Sequence, residues 1–296
     1  MSGFEEKKPN PLLGGAVPLS EISEEEDALL DELLEKIQTA DSGIDYATFG
    51  DYLSKPNALI RFLRARRLNV DKAFAMLRPH VEWLQQIKPA EINIQDISKS
   101  MRSGCWRLIC DSKNSNPTIL VDLSRWNPHE YTVEEYVRMI AFFQCNVFTG
   151  KKEGVHQFCV VFDMEGWAMW HATYVSYIKE LISLVQNHFP ERLLHVFILN
   201  APYIFQGIWA IISPLIDSKT RAKIEFIYDT NRMAELFEAN ELPEKLGGTY
   251  SARYPVPNLI GQPNLKEKDP FKEGEEGEEE AEAVVDGGAE GGEKAA

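Results

Sequence analysis

Cysteine is scarce in this chain, and the four residues present, Cys105, Cys110, Cys145 and Cys159, are never spaced as CxxC. Paired-thiol redox centres and cysteine-ligated zinc modules need that close spacing, so neither is expected. No Asn-x-Ser/Thr tripeptide is free of proline at its middle position, and both absences fit a reducing, cytoplasmic setting. Long apolar runs are missing as well: none approaches the roughly 20 residues that span a bilayer. The chain opens without a charged-then-apolar leader, and Ser2 stands where a myristoylation signal needs glycine. Any membrane contact is therefore expected to be peripheral.

Signatures of the common chemistries are also wanting. There is no GxSxG elbow, P-loop, GxGxxG or HExxH, which removes the usual routes to acyl transfer, nucleotide and zinc chemistry; the chain is not expected to be an enzyme. The six histidines show no ligand spacing beyond the flanking of Pro190 by His188 and His195. Asp163 and Glu165 lack a third neighbour and read as turn-bonding residues, so neither metal nor cofactor is expected. A basic excess is absent too. Net charge is −15, with 10 acidic and 3 basic side chains in residues 1–40 and 12 and 4 in residues 266–296, which leaves 24 of each sign between them. A neutral body between acidic ends argues against nucleic acid as a partner.

Residues 1–22 hold Pro9, Pro11, Gly14, Gly15 and Pro18 without periodicity and read as a flexible N-terminus. A capping box at Ser23 and Glu26 then opens a helix carrying Leu29, Leu30, Leu33, Leu34 and Ile37 at helical spacing. A second helical block covers residues 57–87, with Leu59, Phe62 and Leu63 on one stripe and a fresh helix starting at Asp71. Residues 23–95 thus form a helical module. From Thr118 short apolar runs (118–123, 158–162, 196–199, 224–228) alternate with helix-like stretches (132–148, 170–189, 203–216). That alternation predicts an α/β domain over residues 96–257, a mostly parallel sheet covered by helices. Residues 258–296 are too poor in apolar side chains to offset chain entropy and read as an acidic, disordered tail.

The stretch 203–216 is the most diagnostic. As a helix it places Ile204, Ile208, Ile211, Ile212 and Leu215 on one face and Phe205, Trp209 and Ile216 round the other. A helix apolar nearly all round is buried on both sides or meets lipid. Two readings stand: a central core helix, or a movable flap over an apolar pocket, with Gly207 and Pro214 permitting a bend in either. Polar residues flank it. Glu191 follows Pro190 at the end of the preceding helix, and Thr220 and Lys223 lead into the last apolar run. With Arg66 from the basic run 61–66 they supply the cations, hydroxyl and carboxylate that a phosphodiester head and its polyol need. Each alone is also an ordinary surface or ion-pairing side chain. Glu225 alternates onto the face of Lys223 and Ile227, where solvent or Lys223 would be its partner.

In chain order, Arg61-Phe62-Leu63-Arg64-Ala65-Arg66, Val160-Val161-Phe162-Asp163-Met164-Glu165-Gly166, Pro190-Glu191-Arg192 with Ile198-Leu199-Asn200-Ala201-Pro202, and Leu242-Pro243-Glu244-Lys245-Leu246-Gly247-Gly248 resemble the signatures of the CRAL-TRIO lipid-binding family. The resemblance covers roughly residues 57–250. It implies a helical N-terminal module and a mostly parallel sheet flooring a lipid cavity, with 203–216 as a gating helix. Within the family the chain is similar to the phosphatidylinositol/phosphatidylcholine transfer proteins, which implies a headgroup site at Arg66, Glu191, Thr220 and Lys223. Phe205, Ile208, Trp209 and Ile212 of the gating helix would then touch lipid. Where those proteins place hydroxyls for a choline phosphate, this chain has Phe158, Val185 and Phe189. An unpartnered polar group costs about 1–3 kcal/mol to bury, so phosphatidylcholine is not expected as the second ligand.

The implied function is to extract phosphatidylinositol from one membrane and carry, exchange or present it at another. Phosphatidylinositol and a transiently touched membrane surface are the partners expected. Two alternatives stay open: a carrier of a sterol or other neutral hydrophobic ligand, and a lipid-sensing scaffold or regulator acting through the acidic tail.

Overall fold

A computed structural model describes residues 22–39, 56–93, 97, 103–111, 116–130, 132–147, 157–229, 231–240 and 242–249. The ends that the sequence reads as flexible or disordered, residues 1–21 and 258–296, lie outside the described residues. Helix α1 (Glu24–Thr39) opens on the expected box: Glu26 N donates to Ser23 Oγ at 3.2 Å and Ser23 N to Glu26 Oε2 at 3.1 Å. α2 (Pro56–Ala65) runs into two left-handed residues, Arg67 and Leu68, that end it. α3 (Val70–Ile87) starts behind Asn69, whose side chain accepts from Lys72 N at 2.9 Å. The cap is therefore Asn69 rather than Asp71, because it is the Asn69 side chain that reaches an orphan amide of the first turn. Leu30, Leu33, Leu59, Phe62, Leu63, Ala73 and Leu77 join the core of this helical module.

Five strands, β1 (Trp106–Asp111), β2 (Pro117–Asp122), β3 (Phe158–Asp163), β4 (Leu193–Leu199) and β5 (Ile224–Ile227), form one sheet in chain order. β1 pairs antiparallel with β2, and the three remaining junctions are parallel. β2 reaches β3 through α4 (Val133–Phe142) and a π-helical turn (Phe143–Val147), and β3 reaches β4 through α5 (Val175–His188). β4 reaches β5 through α6 (Phe205–Ile212) and α7 (Ser218–Arg221). Right-handed crossovers between strands taken in chain order stack these helices on one face.

The opposite face is closed by the chain after β5. Met233 and Leu236 of α8 (Asn231–Leu236), with Phe237, Leu242 and Leu246, bury Leu120, Val161, Phe197, Leu199 and Ile227. Two glycines of the signature runs serve close approach. A Cβ on Gly166 would lie 2.9 Å from Ser124 Cα, at a φ of +77°, and one on Gly248 would lie 1.8 Å from Leu242 O. No helix among the described residues is long and apolar enough to cross a membrane.

Candidate functional site

On the helix-covered face, Ile119, Val160, Val196 and Ile224 form one register row and Val121, Phe162, Ile198 and Phe226 the next. Towards β5 the covering is incomplete, and Phe162, Ile224 and Phe226 are only half-buried. α5 shows the same thing from above. It has no buried residue, although Ile178, Leu181, Ile182 and Val185 are apolar. Tyr177 meets Tyr136 of α4 at 5.6 Å and His188 stacks on Trp83 of α3 at 4.5 Å, which fixes one stripe of α5. On another stripe, Gln186 donates to Leu215 O at 3.2 Å and accepts from Asp217 N at 2.8 Å. Ile178, Ile182 and Val185 share that second stripe and so turn towards 203–216. Half-buried apolar side chains thus recur on α5, α6 and β3–β5.

The stretch 203–216 is covered on one side only. Phe205, Ile212 and Ile216 are buried, and Trp209 meets Phe226 edge-on at 5.2 Å. Ile208 is half-buried, while Ile204, Ile211 and Leu215 face water. A central core helix is thereby ruled out, since its outer face would be packed. The regular helix runs unbroken through Gly207 and gives way at Ser213–Leu215, where Pro214 cannot continue it.

The polar residues gather at the N-terminal edge of the parallel strands. Glu191 holds a left-handed φ of 57°, and its carboxylate pairs with Lys219 at 2.5 Å. The turn is pinned from both sides: Gln157 Nε2 donates to Glu191 O at 3.1 Å, and the buried Arg192 donates to Gln144 O at 2.7 Å. Lys223 donates to Leu193 O at 2.6 Å; burial pulls its amine below the usual lysine range, against the attraction of Glu191. Thr220 N donates to Asp217 Oδ1 at 2.9 Å. Burial raises the Asp217 carboxyl, yet hydrogen bonds led by the Thr220 hydroxyl hold it below the ordinary range.

Among the four residues singled out for the head, Glu191, Thr220 and Lys223 thus share one neighbourhood, linked through Lys219 and Asp217. Arg66 is half-buried with its guanidinium donating to Ala65 O at 3.3 Å. The charge of Arg64, two residues earlier in that run, reaches Glu191. A bidentate pair with Glu26 (2.6 and 2.8 Å) holds its guanidinium above the usual range, and Glu191 adds to the effect. Sequence reasoning missed Lys219 and Asp217, although the Asp217-Ser218-Lys219-Thr220 run, whose capping residue stands six residues ahead of Lys223, was a legible signal. Glu225 is a correction: its carboxylate pairs with Arg232 Nε at 3.1 Å, on the α8 side of the sheet, and not with Lys223.

The three apolar replacements part ways. Phe158 is buried at the start of β3, and Val185 lies half-buried on the second stripe of α5. Phe189 is buried between the helical module and the sheet domain, edge-on to Trp83 at 5.6 Å and to His80 at 6.0 Å. His80 Nδ1 lies 3.4 Å from His188 Nδ1 there, and burial lowers both imidazoles, His188 to about 4. At the C-terminal strand edge, Lys245 Nζ bridges Asp122 at 2.8 Å and Asp163 at 2.7 Å, while Asn200 Nδ2 donates to Asp163 Oδ1 at 2.9 Å. Asp163 also accepts from Glu165 N at 3.1 Å, the turn bond its sequence position suggests. A cleft of about 480 Å³ opens beside this clasp, lined by Met164, Glu165, Trp167, Asn200, Pro202 and Lys245.

Residues 102–248 match the family model described as CRAL/TRIO domain, and residues 29–78 match that of the CRAL/TRIO N-terminal domain. The chain is 29 % identical over 237 residues to the phosphatidylinositol transfer protein CSR1 of Eremothecium gossypii, covering 74 % of this chain and 53 % of that one. It is 27 % identical over 203 residues to an alpha-tocopherol transfer protein-like protein of Mus musculus, covering 64 % and 57 %. The chain spans about half the length of the curated relatives it matches. The crystal structure of Sfh5 superposes with a TM-score of 0.60 at 15 % identity over 87 % of this chain and 98 % of that one, a likeness of fold.

Proposed function

The chain belongs to the CRAL/TRIO domain family, and from that premise we propose that it carries phosphatidylinositol between membranes. The observation that carries this reading is a largely buried ammonium, Lys223, set beside Glu191 and Thr220 and near the half-buried apolar side chains of α5 and β5. A buried cation is costly to hold, and an anionic phosphodiester would relieve it. The Lys219–Glu191 pair offers a cation and a carboxylate for the phosphate and the inositol hydroxyls. Acyl chains would lie under 203–216, against Ile178, Ile182, Val185, Phe226 and Trp209, at about 0.8 kcal/mol per methylene removed from water.

A second reading is a neutral apolar cargo. It is favoured by the apolar Val185, half-buried on the stripe of α5 that turns towards 203–216, and by the similarity to a protein named for tocopherol transfer. Transfer of labelled lipids between vesicles separates the two. Phosphatidylinositol should move at least tenfold faster than phosphatidylcholine, the factor that about 1.4 kcal/mol makes. Equal rates for both phospholipids, or transfer of a neutral lipid alone, would sink the phosphatidylinositol reading.

A further inference from the structure

On the carrier reading, acyl chains under 203–216 enter and leave only when that stretch lifts, so the contacts at its two ends decide how often it does. The entry is held by an apolar contact. Phe205 is buried and meets Trp167 edge-on at 5.6 Å, while Asn200, left-handed at a φ of 55°, donates to Asp163 Oδ1 at 2.9 Å. The exit is held differently. Pro214 ends the regular helix there, which leaves backbone groups of the last turn to find partners elsewhere.

A side-chain amide carries the same donor and acceptor as a peptide unit, and Gln186 of α5 uses both. Its Nε2 donates to Leu215 O at 3.2 Å and its Oε1 accepts from Asp217 N at 2.8 Å. One side chain therefore grips the backbone on either side of the buried Ile216. The grip extends to the polar cluster. Asp217 caps α7 by accepting from Thr220 N, and α7 carries Lys219 to Glu191. The next amide along α5 has no such reach: Asn187 Nδ2 donates to Ser183 Oγ at 3.1 Å, within its own helix. Gln186 is only half-buried, so water can replace both bonds as they break and the net cost of release stays small. That combination of reach and exchangeability suits a contact made to hold and let go.

We propose that Gln186 is a positioning residue for lipid exchange, a catch whose two hydrogen bonds set how often the exit of 203–216 lifts. The proposal rests on the carrier reading and deepens it. The test uses the full chain carrying Ile212→Cys, a buried position of 203–216, and follows maleimide labelling of each cysteine by peptide mass spectrometry. Cys159, buried in β3, is the internal control for global unfolding. Adding Gln186→Leu removes both bonds and should speed labelling of the introduced thiol about tenfold, the factor that about 1.4 kcal/mol makes. Gln186→Glu keeps an acceptor for Asp217 N and loses the donor to Leu215 O, so its labelling should fall between. Transfer of phosphatidylinositol between vesicles should rise in the same order, whereas loss of a merely structural contact would not raise it. Unchanged labelling in Gln186→Leu, labelling of Cys159 at the same rate, or transfer that stays level while the wild type is active overturns the catch. Faster labelling in a chain whose wild type moves no phosphatidylinositol supports the catch and sinks the carrier reading.

Discussion

Lys223→Met is expected to weaken phosphatidylinositol binding by about 30- to 100-fold, the factor that about 2–3 kcal/mol of charge-assisted hydrogen bonding makes. Stability of the lipid-free protein should change by less than about 1 kcal/mol, in either direction. The reason lies in the burial of the amine, which pulls its pKa down and makes the ammonium a cost to the empty fold. Methionine fills similar volume without that cost, though it leaves Leu193 O without the Lys223 donor. A residue kept for stability behaves the other way, losing stability and sparing the ligand. The lowered pKa adds a pH signature. The phosphodiester stays anionic across the range, so affinity follows the ammonium fraction and should begin to fall at a pH below the ordinary lysine range. Titration of labelled phosphatidylinositol against denaturation curves checks both halves, and full binding by Lys223→Met would remove this lysine from the site.

Val185→Trp is expected to abolish lipid uptake at little cost in stability. In a packed core, adding that much volume forces neighbours off their rotamers at about 1–3 kcal/mol or more. Val185 is instead half-buried on the stripe of α5 that turns towards 203–216, and no residue of α5 is buried. The indole would occupy space meant for acyl chains. Bound phospholipid should drop more than tenfold while urea unfolding moves by less than about 1 kcal/mol. Ile182→Trp, one turn earlier, should behave alike. A loss of several kcal/mol in both variants would mean that the space is filled by side chains and that no gap exists.

The elements that sequence reading placed well are those with strong local patterns. β2 to β5 are short apolar runs, the Ser23–Glu26 box caps a helix where expected, and a helix starts behind Thr132 within the helix-like stretch 132–148. β1 went unseen because Trp106-Arg107-Leu108-Ile109-Cys110-Asp111 mixes charge into an antiparallel edge strand, where only pairing with β2 defines it. Inward and outward sides of 203–216 were not legible either. Its apolar residues circle the helix, and only tertiary contacts such as Trp209 on Phe226 choose the inner face. The polar cluster was partly legible. Glu191, Thr220 and Lys223 carry motif identity, but Lys219 owes its place to the left-handed Glu191 turn, a long-range coincidence that spacing does not encode. Glu225 misled for the same reason, since strand alternation gives the face and says nothing of Arg232 arriving from α8.

All of this turns on an interior left open for one amphiphile with an anionic end. Native mass spectrometry of the full chain, purified without added detergent and then activated to release its ligand, measures that directly. The expected spectrum shows one phospholipid per chain, with the released ion carrying an inositol phosphate fragment and disappearing in Lys223→Met. A spectrum of bare protein after incubation with phosphatidylinositol vesicles, or of a neutral lipid alone, would contradict it.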